Sequence, residues 1–266
     1  MAVIKISFCS ECLSRMADVT AIIPLETPLM PGMKPEDIKP APDKFKTLYL
    51  LHGYSGNQDD WITFSNIRSI AEEHKLAVIM PSGENSFYTD GDTLGNKYGT
   101  YIAKELIEFA RKIFPLSNKR EDTFIGGLSM GGFGALRLGA LYDDTFSKII
   151  SLSGAFVTEN LQNDNNFYSY MIGNNNYFEQ VFGNLNNLQN SENNPIFCVK
   201  KAKNMPEVYM ACGCNDFLIK ENKSVKKQLE NENVKLYYTE TDGIHDWSFW
   251  NSQIPLAIKW LLSKNN

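Results

Sequence analysis

The chain has 266 residues, 43% of them hydrophobic and 12% aromatic, which is enough to bury a sizeable core in one α/β domain. Its formal net charge is −5 and no Lys/Arg block stands out, which argues against a nucleic-acid partner. No apolar run approaches the roughly 18 residues of a membrane helix.

The opening stretch, MAVIKISFCSECLSRM, is interrupted by Lys5, Ser7, Ser10 and Glu11 where a signal peptide would carry an unbroken apolar core. The expectation is a cytoplasmic protein. Its five cysteines, Cys9, Cys12, Cys198, Cys212 and Cys214, are odd in number, which does not suit a disulfide framework. Cys9 and Cys12 form a C-x-x-C, but a zinc site would want a second ligand pair, and the chain has only His52, His74 and His245 to help. No metal is expected.

In chain order, residues 1–23 read as extended. From Pro24 to Pro42 the chain spends six of its eleven prolines, which predicts a surface arm. KTLYLLHG (46–53) and LAVIMPSG (76–83) read as buried strands, with a helix from Ile67 to Lys75 between them. Asp59, Asp60 and Trp61 suit the start of a helix. Tyr98, Ile102, Leu106, Phe109 and Ile113 recur at helical spacing over 98–114. Then follow a strand at DTFIGG (122–127), a helix from Gly132 to Tyr142, and strands at SKIISLSG (147–154) and PEVYMACG (206–213). A helix from Ile219 to Glu232, a strand at VKLYYTE (234–240) and a helix from Pro255 to Ser263 close the chain. Cys212 and Cys214 are expected to point the same way at a strand end, as small buried hydrophobes. This alternation predicts a mostly parallel central sheet with helices on both faces.

Residues 160–194 break the rhythm with 13 asparagines, interleaved with Phe167, Tyr168, Tyr170, Tyr177, Phe178 and Phe182. Aromatics can pack where asparagine alone would not. The stretch 155–200 reads as an insertion over an edge of the sheet, either a cap or lid or a plain surface excursion.

The chemistry centres on FIGGLSMGGFGALRLGA (124–140), where Gly126, Gly127, Gly131, Gly132 and Gly134 surround Ser129. Gly127-Leu128-Ser129-Met130-Gly131 is G-x-S-x-G between a strand and a helix, the setting of a nucleophile elbow. Such a turn strains the serine backbone and lifts its hydroxyl to the carboxyl end of the sheet, where open α/β folds bind ligands. A phosphate cradle is the weaker reading, because the lysine of a Walker loop is absent.

A serine hydroxyl needs a base. In hydrolases of this kind the chain order is serine, acid, histidine. His52 and His74 precede Ser129, so His245 in TDGIHDWSFW is the base. Among acids between them, Asp143 and Asp144 end a helix, Asp164 lies in the insertion, and Asp242 and Asp246 are close to His245 in sequence. Asp216, in the loop after PEVYMACG, is the first choice to hold the imidazole and Asp242 the second. The oxyanion needs two donors. One is the N–H of Met130; the other comes from LHGYSGN, with Tyr54 preferred and Gly53 second, and His52 shaping that loop. Phe87 and Tyr88, in SGENSFYTDG, either line the substrate pocket or pack in the core. Trp247 and Trp250 read as packing residues.

LYLLHGYSGNQDDW, PSGENSFYTD, GGLSMGGFGALRLG, ACGCNDFL and GIHDWSFW together resemble the esterase D group of α/β-hydrolases, with tributyrin and acetyl esterases of bacteria as the nearest kind. The resemblance runs over nearly the whole chain. It implies the α/β-hydrolase fold, Ser129, Asp216 and His245 as triad, and Tyr54 and Met130 at the oxyanion hole. It also implies hydrolysis of short acyl esters, acetyl to butyryl, without a cofactor. The wider group brings S-formylglutathione hydrolases and feruloyl or acetylxylan esterases as alternatives. A catalytically silent hydrolase fold that only binds is the reading from another class. The expected partner is a small-molecule ester, and a homo-oligomer is compatible with the sequence.

Overall fold

In the computed structural model the described residues are 1–25, 32, 34, 40–159, 161 and 175–263. Most of the 24–42 arm, together with Asp164, Phe167, Tyr168 and Tyr170 of the insertion, lies outside them.

An eight-stranded sheet, in the order β1-β2-β4-β3-β5-β6-β7-β8, organises the chain. The strands are β1 Ala2–Ser10, β2 Arg15–Ile23, β3 Lys46–Leu51, β4 Leu76–Pro81, β5 Thr123–Leu128, β6 Lys148–Leu152, β7 Glu207–Gly213 and β8 Leu236–Thr241. β1 and β2 form an antiparallel hairpin, and β2 joins β4 antiparallel. From β4 through β8 every pairing is parallel. β3 to β6 are buried along almost their whole length, because helices cover both faces. The core accordingly divides in two. One part gathers Tyr49, Ile125, Phe133 and Phe156; the other gathers Leu48, Trp61, Ile150 and Ile254.

Five helices position the site. They are α1 (Asp60–Phe64), α2 (Met130–Leu141), α3 (Asn175–Phe182), α4 (Ile219–Asn231) and α5 (Trp247–Leu262). α2 follows β5 directly, and its residues are buried from Met130 to Ala140. That explains why the segment is apolar on all sides and carries small residues: it is enclosed between the sheet and the insertion.

The described part of the insertion packs against α2. Phe182 of α3 lies 5.7 Å from Phe133 and 5.2 Å from Phe87, ring centroid to centroid. The buried Arg137 of α2 donates to the carbonyls of Glu192 and Tyr88 and to the side-chain oxygen of Asn193.

Two sequence expectations need correction. α5 begins at Trp247, eight residues before Pro255, because the Asp246 carboxylate accepts from the Phe249 N–H and starts the helix there. Pro255 then sits inside it. Cys212 is buried but Cys214 is exposed, since β7 ends at Gly213 and the alternation ends with it. No helix among the described residues is long and apolar enough to cross a membrane.

Candidate active site

Ser129 sits between β5 and α2 with φ 53° and ψ −119°, a conformation that side chains rarely adopt. Its neighbouring glycines leave no room for a side chain. A Cβ on Gly127 would come 2.5 Å from the Gly131 backbone, and one on Gly131 would come 2.5 Å from the Leu51 carbonyl oxygen. The turn is tied on both sides: the Ser129 N–H donates to Leu152 O at 2.9 Å, and Ser129 O accepts from the Ala155 N–H at 2.9 Å.

The loops after β7 and β8 are neighbours because those strands pair in parallel. They are laced by backbone bonds, from Cys214 N–H to Thr241 O at 2.9 Å and from Asn215 N–H to Gly243 O at 3.0 Å. This lacing brings Asp216 and His245 together. Nδ1 of His245 lies 2.9 Å from Oδ2 and 3.1 Å from Oδ1 of Asp216, and Nε2 lies 2.9 Å from Oγ of Ser129. Burial alone would raise the Asp216 carboxyl. The bond to His245, the imidazole's charge, the Leu218 N–H and the Ser153 hydroxyl outweigh it and hold the group below its usual value. Asp242, the second choice of acid, is exposed and accepts from Asn215 instead. Asp143 accepts from the backbone N–H groups of Lys203 and Asn204, at another part of the fold.

Gly53 lies against the elbow: a Cβ there would approach Leu128 Cδ1 to 2.7 Å and Ser129 Cβ to 3.5 Å. Tyr54 follows it and lines the same cleft as Ser129. Met130 opens α2, whose first N–H groups have no partner within the helix. His52 is buried, and its two ring nitrogens are both engaged: Nδ1 lies 2.7 Å from Gly53 O, and Nε2 accepts from the Gly83 N–H at 2.8 Å. That pair of contacts requires the neutral ring with its proton on Nδ1, and burial pushes its pKa down. The imidazole thus joins the Gly53–Tyr54 loop to the loop after β4.

Phe87 and Tyr88 do not line the cleft. Both are fully buried, at φ 49° and 57°. Phe87 packs on Phe133 and Phe182, and the Tyr88 hydroxyl donates to His52 O at 2.9 Å. They support the cleft from behind, the core reading of that segment.

The cleft has a volume of about 480 Å³. Its walls include Leu128, Ala155, Phe217 and Trp247, with the acidic residues Asp60 and Asp246. Among the described residues no Lys or Arg lines it. Sequence reasoning missed these walls, although Phe217 and Asp246 adjoin Asp216 and His245 in the chain. Trp250 also borders the cleft and packs at once.

Comparison with known proteins gives the family and the fold. A family model described as "Putative esterase" matches residues 33–261. An acetyl esterase of Caldicellulosiruptor saccharolyticus is 41% identical over 265 residues, covering 98% of each chain. Among solved structures, the fluorophosphonate-binding serine hydrolase F of Staphylococcus aureus superimposes with a TM-score of 0.84 at 31% identity, covering 99% of each chain. The S-formylglutathione hydrolase of the same organism gives 0.81 at 31% identity, covering 98% of this chain and 99% of that one.

Proposed function

The chain belongs to the esterase family, and from that premise we propose that it is a serine carboxylesterase that cleaves short-chain acyl esters through an acyl-enzyme. Ser129 Oγ attacks the ester carbonyl while His245 Nε2 takes its proton. Asp216 holds the Nδ1 tautomer and stabilises the imidazolium that forms. The oxygen of the tetrahedral intermediate accepts from the N–H groups of Tyr54 and Met130. Collapse breaks the bond to the alcohol, which leaves with the proton from His245. A water deprotonated by the same imidazole then attacks the acyl group and frees the acid.

The observation that carries this reading is the unbroken series Asp216–His245–Ser129 with both contacts at 2.9 Å, in a cleft that also holds Tyr54. The preference for acetyl to butyryl groups draws on the acetyl esterase that is 41% identical. Ester hydrolysis is the activity of the family; the triad roles and the acyl length are what this proposal adds.

A second reading, hydrolysis of S-formylglutathione, has the support of the 31% identical S-formylglutathione hydrolase. The cleft argues for neutral esters first, since its charged walls are carboxylates and glutathione is an anion. Turnover of p-nitrophenyl acetate, butyrate and octanoate and of S-formylglutathione by the wild type and by Ser129→Ala tests both. The expected result is fastest turnover of acetate or butyrate and its loss in the variant. Octanoate as the best substrate, or a variant as active as the wild type, overturns the proposal.

A further inference from the structure

His245 contacts two aromatic side chains that the reaction scheme does not use. The ring centroid of Phe217 is 4.6 Å from that of the imidazole, tilted by 48°, and that of Trp250 is 5.1 Å away and almost perpendicular, at 87°. They reach it from different elements: Phe217 from the β7 loop, next to Asp216, and Trp250 from the first turn of α5. Phe217 is 42% exposed at the rim of the cleft, whereas Trp250 is 6% exposed.

Trp250 has little freedom to rotate. Its Nε1–H donates to Ser153 Oγ at 3.1 Å, and its ring meets Trp247, 5.3 Å away. Trp247 in turn meets Trp61 at 5.2 Å. Ser153 is itself fixed. It is fully buried in the loop after β6, has φ 48°, and donates its N–H to Ala211 O at 2.7 Å. A non-glycine residue in that backbone region is held there only when its surroundings demand it.

Resting on the serine-esterase reading, we propose that Phe217 and Trp250 are positioning residues for the base, an aromatic clamp that fixes the plane of the His245 imidazole and stabilises its protonated form, with Ser153 locking Trp250 in place. Both centroids are within cation–π reach of the ring. Above the acid limb the imidazolium forms only as Ser129 gives up its proton, so attraction to the two aromatic rings is felt in the transition state and not in the resting enzyme. The Ser153 hydroxyl also lies beside Asp216, where it helps to keep that carboxyl ionised. Among the described residues, the other titratable groups around the imidazole are Asp216 from the β7 loop, Asp246 from its own loop, and Tyr54 and Asp60, which line the same cleft. The clamp variants below leave all three carboxylates in place.

The test uses Phe217→Leu, Phe217→Tyr, Trp250→Phe and Ser153→Ala, assayed on p-nitrophenyl acetate across pH, with active sites counted by a fluorophosphonate probe. Loss of a π-face makes the imidazolium less stable. The acid limb of kcat/KM therefore moves to lower pH, by about half a unit, and kcat per active site falls about two- to ten-fold with KM nearly unchanged. Phe217→Leu shows this; Phe217→Tyr, which keeps the ring, retains the wild-type profile. Trp250→Phe lowers kcat per active site as well, and Ser153→Ala lowers it at least as far, because it frees the indole and also takes a hydroxyl from beside Asp216.

Phe217 is at the surface, so its leucine variant folds even where Trp250→Phe does not. A Phe217→Leu profile that superimposes on the wild type, with kcat per active site unchanged, overturns the clamp while the esterase reading stands. Wild-type enzyme that the probe does not label removes both.

Discussion

Oδ2 of Asp216 lies 2.9 Å from Nδ1 of His245, although the two residues follow different strands and are separated by 29 positions. The pairing of β7 with β8 makes that meeting unavoidable, since parallel neighbours end on the same side of the sheet. Asp216→Asn keeps the shape and the acceptor for the Leu218 N–H, but offers an amide to the imidazole. The ring then turns its acceptor nitrogen towards residue 216 and a proton towards Ser129, the wrong tautomer for a base. Steady-state kinetics on p-nitrophenyl acetate are expected to show kcat reduced about 10³- to 10⁴-fold with a small change in KM. Activity within ten-fold of the wild type would mean that Asp216 is not the orienting acid.

The elbow makes a prediction about stability. Gly131 faces the carbonyls of Leu51 and His52 at distances of 2.5 and 2.7 Å from where a Cβ would be. These are backbone atoms of the strand end that leads into the Tyr54 loop, and they cannot step aside. Gly131→Ala is expected to cost about 1–3 kcal/mol in urea unfolding and to lower kcat as well, because relief must displace Ser129 or the oxyanion loop. Unchanged unfolding and unchanged kcat together would contradict the packing.

These two features show what the sequence could carry and where it ran out. The elbow was legible because its requirements are local: a strand, a serine between two glycines, a helix. The pairing of Asp216 with His245 beside Ser129 was legible through chain order, which topology enforces. The cleft walls were not. Phe87 looked as suited to a pocket as to a core, and only its burial against Phe133 and Phe182 places it in the core. Asp60 reaches the cleft because α1 lies beside β3's carboxyl end, a fact of packing that no short motif records. Pro255 misled in a similar way: a proline suits a helix's first turn, but the Asp246 cap begins this helix at Trp247, eight residues earlier.

His52 supplies a prediction in pH. Both ring nitrogens are committed to a single neutral tautomer, so the folded chain resists the proton that the unfolded chain accepts below about 6.5. The folded pKa is the lower of the two. The unfolded state therefore binds more protons below that point, and stability falls as the solution is acidified. The group's share is at most about 1.4 kcal/mol at pH 5.5. Chemical unfolding at pH 7.5 and 5.5 is expected to show a larger drop for the wild type than for His52→Gln, which has no proton to take up. Equal drops would mean that the imidazole is charged in the fold.

The cleft's charge predicts substrate choice. Asp60 and Asp246 both line it, and among the described residues no Lys or Arg does. Asp246 already serves the Phe249 N–H and Asp60 the Asn57 N–H, but one bond leaves a carboxylate its negative field. An ester whose alcohol half is anionic must enter against that field, at separations of a few ångströms where an effective dielectric near 20 leaves repulsion of the order of kcal/mol. Methyl 4-acetoxybenzoate and 4-acetoxybenzoate differ in charge while sharing the reacting acetyl group. The neutral ester is expected to have the higher kcat/KM by about three- to ten-fold at low salt, with the gap narrowing in 0.5 M NaCl, on the order of a 4 Å Debye length. Asp60→Asn narrows it further by improving the anion, with little effect on the neutral ester. The same substitution should improve S-formylglutathione, whose carboxylates meet the same wall. A wild type that treats the two benzoates alike, at every salt concentration, would show that the carboxylates face away from the path of the leaving group.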